Sequence, residues 1–236
     1  MKQIYLMRHG ETLFNKMDIN QGQCDSPLTE AGIAQAIAAR NWFQAHRITF
    51  QAVYCSPLLR ACDTAELVTG LPLRRDKGLK EIYLGFREAS SNSENPAFPY
   101  GDYFVPYGGE DLNEFYHRIT STITRIADVD EEGPVLIVSH GTAMRCFLQT
   151  IDPEHRDPGV PGNCAIADLH YENGRFHLQQ IIEPASEYQL LSLTPLLPFR
   201  HAAEAVARQP PECGRCRRCL KWPQKPHSTV PCSLLR

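Results

Sequence analysis

The chain has 236 residues, 42% hydrophobic and 22% charged, enough apolar side chain to bury a core in one or two domains of ordinary globular composition. Its 24 Lys and Arg nearly balance 27 Asp and Glu, so no net field holds a nucleic acid or an anionic membrane. No stretch approaches the roughly 20 apolar residues of a bilayer span, and Met1-Lys2-Gln3 runs into strand-like sequence without a signal peptide's apolar region, so a cytoplasmic protein is expected. The nine cysteines are odd in number and five stand singly between residues 24 and 164, which favours reduced thiols over a disulfide framework.

In chain order, Ile4-Tyr5-Leu6-Met7 reads as a short buried strand. A helix is expected from Thr29, a candidate N-cap, to about His46. Ala52-Val53-Tyr54-Cys55 is again strand-like, and Pro57 suits the first turn of a helix running through Val68. Leu112, Phe115, Tyr116, Ile119, Ile123 and Ile126 recur at three- and four-residue spacing, the apolar stripe of one helix. Val135-Leu136-Ile137-Val138 is the clearest buried strand, with a short helix starting near Thr142. Two alternating segments around Glu172-Asn173-Gly174 read as a hairpin, because Asn-Gly accepts the positive φ angles of a tight turn. Strands alternating with helices predict an α/β fold, a three-layer α/β/α sandwich whose mainly parallel sheet has helices on both faces.

The composition changes near Thr194. Residues 194–236 hold eight Lys or Arg, two acids, seven prolines and four cysteines, so a body over 1–193 is expected to carry a basic, Pro/Cys-rich tail. Cys213, Cys216, Cys219, Cys232 and His227 supply enough soft ligands for a tetrahedral Zn²⁺. The three-residue steps lack the two separated pairs of a zinc ribbon, however, and the composition favours a disordered tail.

Ligands of open α/β sheets bind beyond the carboxyl ends of the strands. Arg8-His9-Gly10 follows the first expected strand, Ser56 to Arg60 the second, and Ser139-His140-Gly141 the third of these apolar runs. Two arginines, each a planar fork of donors, and two histidines would meet at one edge. Glycine beside each histidine lets backbone approach an anion. The pattern is that of a phosphoryl site. Taken singly, a histidine is more often a surface or satisfied core residue, the reading given to His46, His117, His155, His170, His177, His201 and His227.

Leu6-Met7-Arg8-His9-Gly10-Glu11-Thr12 with Asn15 resembles the signature of the histidine phosphatase superfamily, the phosphoglycerate-mutase-like enzymes. Further blocks resemble that family in order: Gln21-Gly22; Asp25 to Thr29 with Gly32 and Gln35; Ser56 to Ala61 with Thr64-Ala65-Glu66; and Ser139-His140-Gly141. The resemblance spans residues 4 to about 182 and leaves out the tail. It implies that His9 attacks phosphorus and forms a phosphohistidine that water hydrolyses, dividing one difficult displacement into two. It places Arg8, Arg60 and His140, the last protonated, on the transferring oxygens. It puts Asn15, Gln21, Gly22 and Gly141 against phosphate or substrate. Leu79-Lys80-Glu81 resembles the segment bearing the family's proton donor, which makes Glu81 the acid and Glu88 the runner-up. No metal and no cofactor are implied. The chain departs from its relatives in carrying Arg87-Glu88-Ala89 for Trp-Glu-Gly and Gly109-Glu110-Asp111 for Gly-Glu-Ser, which bears on loop geometry and substrate preference.

A mutase must also hold a carboxylate and a second phosphate. Residues 88–116 contain no Lys or Arg but seven aromatic residues, a wall better suited to a neutral leaving group if the rings do not simply pack the loop onto the body. A phosphomonoesterase acting on a small-molecule phosphate ester is therefore expected, with a bisphosphoglycerate-primed mutase or a non-catalytic phosphate-binding regulator as alternatives. Neither nucleic acid nor membrane is expected as partner, and the oligomeric state stays open, a homodimer among the options.

Overall fold

The computed structural model describes residues 1–129, 133–151 and 159–185. The domain boundary near Thr194, the tail and its cysteines lie outside these, as do His155, His201 and His227.

Six strands form one sheet: β1 (Lys2–Arg8), β2 (Ala52–Cys55), β3 (Leu73–Arg75), β4 (Val135–Ser139), β5 (Ile166–Glu172) and β6 (Arg175–Ile182). Their order across the sheet is β3-β2-β4-β1-β5-β6. The first four run parallel, β5 is antiparallel to β1, and β6 is antiparallel to β5. The helices are α1 (Leu13–Lys16), α2 (Glu30–Ala45), α3 (Leu59–Thr69), α4 (Leu112–Asp128) and α5 (Gly141–Ile151).

The pleat explains why an apolar run such as Ile4 to Met7 needs helices on both sides. Successive side chains point to opposite faces. Ile4 and Leu6 join one core with Ile137 and with Phe115, Ile119 and Ile123 of α4. Tyr5 and Met7 join a second with Val138, and with Ala36, Phe43, Ala61 and Ala65 of α2 and α3. The expected three-layer α/β/α fold is the one observed. Among the described residues no helix is long and apolar enough to cross a membrane.

Local signals operate as physical chemistry dictates. Thr29 Oγ1 accepts a hydrogen bond from Gly32 N at 3.0 Å and caps α2. Asp111 caps α4, its carboxylate accepting from the backbone of Asn113 and Glu114. Asn173 and Gly174 both take positive φ between β5 and β6. Two details differ from expectation. The third helix begins at Leu59 with Leu58 as its cap residue, leaving Pro57 just ahead of the first turn. The short edge strand β3 is mostly exposed and carries no apolar alternation, so nothing in the sequence marks it.

The sheet order decides where the site lies. β2, β4 and β1 are neighbours, with Cys55 beside Val138 and Arg8 beside Ser139. The three segments that leave their carboxyl ends therefore start side by side, joined by hydrogen bonds from His9 N to Ser139 O (3.0 Å) and Ser56 N to Val138 O (2.9 Å).

Candidate active site

His9 follows β1 directly and is 3% exposed. Its Nδ1 lies 2.7 Å from Gly10 O. A carbonyl only accepts, so Nδ1 carries the proton and the lone pair is on Nε2. Arg60 Nε donates to that Nε2 at 3.3 Å. Burial, then the guanidinium groups of Arg60 and Arg8, push the His9 pKa well below its ordinary value. The ring is a neutral base fixed in one tautomer.

Arg60, in the first turn of α3, is 1% exposed. Its buried charge is met on every side: it donates to Gly22 O (2.7 Å), Cys24 O (2.9 Å) and Asp25 Oδ1 (3.3 Å). Arg8 donates to Pro161 O at 2.6 Å, and its Nε has no partner among the described residues.

The loop holding His9 is built by close backbone approach. A Cβ on Gly10 would sit 2.6 Å from Gly32 O, and one on Gly32 2.1 Å from Glu11 O, so only glycines let α2 pack this tightly on the loop. Gly10 N donates to Thr64 Oγ1 and Glu11 N to Gln35 Oε1. Asn163 Nδ2 donates to His9 O at 3.1 Å and to Asn15 Oδ1 at 3.3 Å.

Glu81 reaches the same place from the segment after β3. Its carboxylate accepts from Thr142 N (2.9 Å), Ala143 N (3.2 Å) and Ile82 N (2.9 Å), two of them at the start of α5, where helix N–H groups lack partners of their own. Arg118 fixes the segment from behind, donating to the carbonyls of Gly78, Lys80 and Glu81 while paired with Glu110 at 2.7 Å.

A cavity of about 160 Å³ brings together Arg8, His9, Asn15, Gln21, Gly22, Arg60, Glu81 and Gly141. Among the described residues no group of three or more His, Cys, Asp or Glu side chains is placed to hold a metal ion.

Over residues 4–183 the chain matches the histidine phosphatase superfamily (branch 1). It belongs to that family. A probable phosphoglycerate mutase GpmB from Proteus mirabilis is 31% identical over 195 residues, covering 73% of this chain and 86% of the relative. Among solved structures, YhfR of Bacillus stearothermophilus is 30% identical, with a TM-score of 0.66 and coverage of 76% and 96%. A mycobacterial glucosyl-3-phosphoglycerate phosphatase solved with VO3 is 25% identical, with a TM-score of 0.63 and coverage of 76% and 98%.

In this member of the histidine phosphatase superfamily, two expectations from the sequence need correcting. His140 is fully buried beside His9, ring centroids 5.3 Å apart, and is not itself on the cavity wall. Burial, then Arg60, His9 and Arg8, push its pKa well below the ordinary value, a direction opposite to the protonated ring that was expected. Both its ring nitrogens lack partners among the described residues. Glu88, the runner-up acid, does not line the cavity. Its Oε1 accepts from Gln23 N at 2.6 Å and lies 2.5 Å from where a Cβ on Gly22 would be.

Thr64 stands in a block of the resemblance without a role, while Asn163, Asn20, Asn92 and Asn95 escape sequence reasoning. Each is a common polar residue whose neighbour in space is remote in the chain. Of the aromatic segment, Tyr100 and Phe104 line the cavity. Phe98 and Tyr103 pack on the core beneath, with Arg145 centred 3.5 Å from the Phe98 ring. The segment therefore serves both packing and wall.

Proposed function

We propose that this chain is a phosphomonoester hydrolase working through a phosphohistidine on His9, without a metal. The observation that carries this is the unprotonated Nε2 of a buried His9, aligned by its bond to Gly10 O and flanked by the buried Arg60 guanidinium. Nε2 attacks phosphorus, the P–O bond to the leaving group breaks, and the alkoxide takes a proton from Glu81. Water then attacks the phosphohistidine, giving its proton back to Glu81 and returning His9 to its neutral form. Arg8 and Arg60 face the equatorial oxygens, where charge accumulates in the transition state. The unpartnered Gln21 Nε2 and Arg8 Nε, both donors on residues that line the cavity, are groups that phosphoryl oxygens would satisfy. A phosphate dianion at His9, whose ring lies 5.3 Å from that of His140, would act through space to favour protonation of His140.

Isomerisation of phosphoglycerate is the second reading, favoured by relatives named phosphoglycerate mutase. Against it, the only Lys or Arg among the described residues lining the cavity are Arg8 and Arg60, both needed by the transferring phosphoryl group. Assaying ester hydrolysis beside 3-phosphoglycerate isomerisation, with and without bisphosphoglycerate primer, separates the two: hydrolysis is expected to dominate, and primer-dependent isomerisation exceeding it overturns the proposal. A His9→Ala protein is expected to lose turnover and form no acid-labile phosphoprotein.

A further inference from the structure

Three lining residues play no part in phosphoryl transfer. Asn20 is buried, Asn95 half-buried and Asn92 exposed, so the three run from the cavity wall to its mouth. They form one hydrogen-bonded unit. Asn20 Nδ2 donates to Asn95 Oδ1 at 3.0 Å, and Asn95 Nδ2 donates back to Asn20 Oδ1 at 2.6 Å. Asn95 Nδ2 also donates to Asn92 Oδ1 (3.0 Å), and Asn92 Nδ2 to Asp18 Oδ1 (3.1 Å). Ser91 O only accepts, so the Asn20 atom 3.3 Å from it is Nδ2, and the reciprocal pair then fixes the Asn95 amide, because turning that one over sets nitrogen against nitrogen.

The remaining capacity follows from counting. Each Nδ2 has two hydrogens and each Oδ1 two lone pairs. Asn20 Nδ2 is further engaged by Ser90 Oγ and Ser91 O, so the hydrogens of Asn20 and Asn95 are all committed. Each of the three carbonyl oxygens keeps a lone pair unused. The amide unit therefore offers three acceptor sites against one uncommitted donor, the second Nδ2 hydrogen of Asn92. The charged group bonded to it is an anion, Asp18, and Arg87 is paired with Glu94 at 2.8 Å. Ile82, Leu84 and Tyr100 supply adjoining apolar surface. Backbone pairing makes this a built rim, since Ile19 bridges Ser91 and Asn20 N donates to Ser90 O.

We propose that the Asn20–Asn95–Asn92 unit is a leaving-group subsite selecting phosphomonoesters of uncharged polyhydroxylated alcohols, sugars and polyols, over esters carrying a carboxylate. Hydroxyl hydrogens meet the free amide lone pairs while C–H faces lie on the apolar wall. A carboxylate only accepts, so it meets lone pairs with lone pairs and loses its hydration without compensation. The inference rests on the phosphomonoesterase reading and names its substrate class.

The test compares kcat/KM of the full-length protein for glucose 6-phosphate, sorbitol 6-phosphate, 3-phosphoglycerate and p-nitrophenyl phosphate. The sugar and polyol esters are expected to exceed 3-phosphoglycerate by about tenfold or more. Asn95→Leu is expected to lower the sugar phosphate value about tenfold more than the p-nitrophenyl phosphate value, and Asn92→Ala, at an exposed position that does not threaten folding, to move the same ratio less. A wild-type protein that prefers 3-phosphoglycerate, or equal losses on every ester in both variants, overturns the subsite while leaving the phosphatase reading intact. No hydrolysis of any ester overturns that reading and the subsite with it.

Discussion

Replacing Arg60 tests the site at its most loaded point. Its guanidinium reaches His9, Gly22, Cys24 and Asp25 at once, so Arg60→Ala removes a cation from the transition state and leaves two backbone carbonyls without their donor. Each lost charge-assisted bond is worth about 1.5–3 kcal/mol; with water entering from the cavity, the stability loss should be about 2–4 kcal/mol. The kinetic effect is larger. One lost transition-state donor costs about 10²–10³ in rate and an arginine on a transferring phosphoryl group about 10³–10⁵, so kcat/KM should fall about 10³–10⁴-fold, or ~4–5.5 kcal/mol. Arg60→Lys keeps the charge but not the fork that spans Nε2 of His9 and the carbonyl of Gly22, so a loss of about 10²-fold is expected. The two variants also differ in pH profile. Arg60 lowers the His9 pKa, so removing its charge raises that pKa and moves the acid limb of kcat/KM to higher pH in Arg60→Ala, whereas Arg60→Lys holds it near the wild-type position. The assay is p-nitrophenyl phosphate hydrolysis across pH, beside urea melts that establish the folded fraction. A Lys variant with wild-type activity, an Ala variant within tenfold of wild type, or an acid limb that stays in place in Arg60→Ala refutes the reasoning.

Glu81→Gln removes the transferable proton; turnover of alkyl phosphates should drop about 10²–10⁴-fold and that of p-nitrophenyl phosphate, whose leaving group needs no proton, far less. His9 and His140 are both held neutral, with folded pKa values well below the ordinary value of about 6.5. The unfolded chain therefore binds more protons below that pH, and stability present above it should fall by about 1.4 kcal/mol per pH unit for each histidine as pH drops; urea melts between pH 7.5 and 5.5 should show a shallower slope in His140→Asn. Ala89 sits at φ 61, a left-handed conformation that glycine adopts without a Cβ clash, so Ala89→Gly should stabilise by about 0.5–1 kcal/mol, read as a raised urea midpoint. Gly32→Ala drives a Cβ into Glu11 backbone at 2.1 Å and should destabilise by about 3 kcal/mol or more, with activity falling as the His9 loop shifts.

By itself the sequence determined the layers and the contents of the phosphate end. Continuous apolar runs such as Val135 to Val138 require cover on both faces, and caps such as Thr29 act within four residues, so both are legible along the chain. His9, Arg60 and His140 share one place because each follows a strand of the parallel part of the sheet, where carboxyl ends lie along one edge. The tertiary structure decided what depends on neighbours distant in sequence. It brought Glu81 rather than Glu88 to the cavity, through N–H groups of α5 some sixty residues on. It set the downward direction of the His140 pKa, because burial and two guanidinium groups act through space. It also joined Asn20 to Asn95 across 75 residues, turning three ordinary asparagines into a wall of acceptors. The reason is common to all three: periodicity and capping are local, whereas desolvation, hydrogen-bond pairing and the field of a neighbouring charge depend on distances that exist only once the chain has folded.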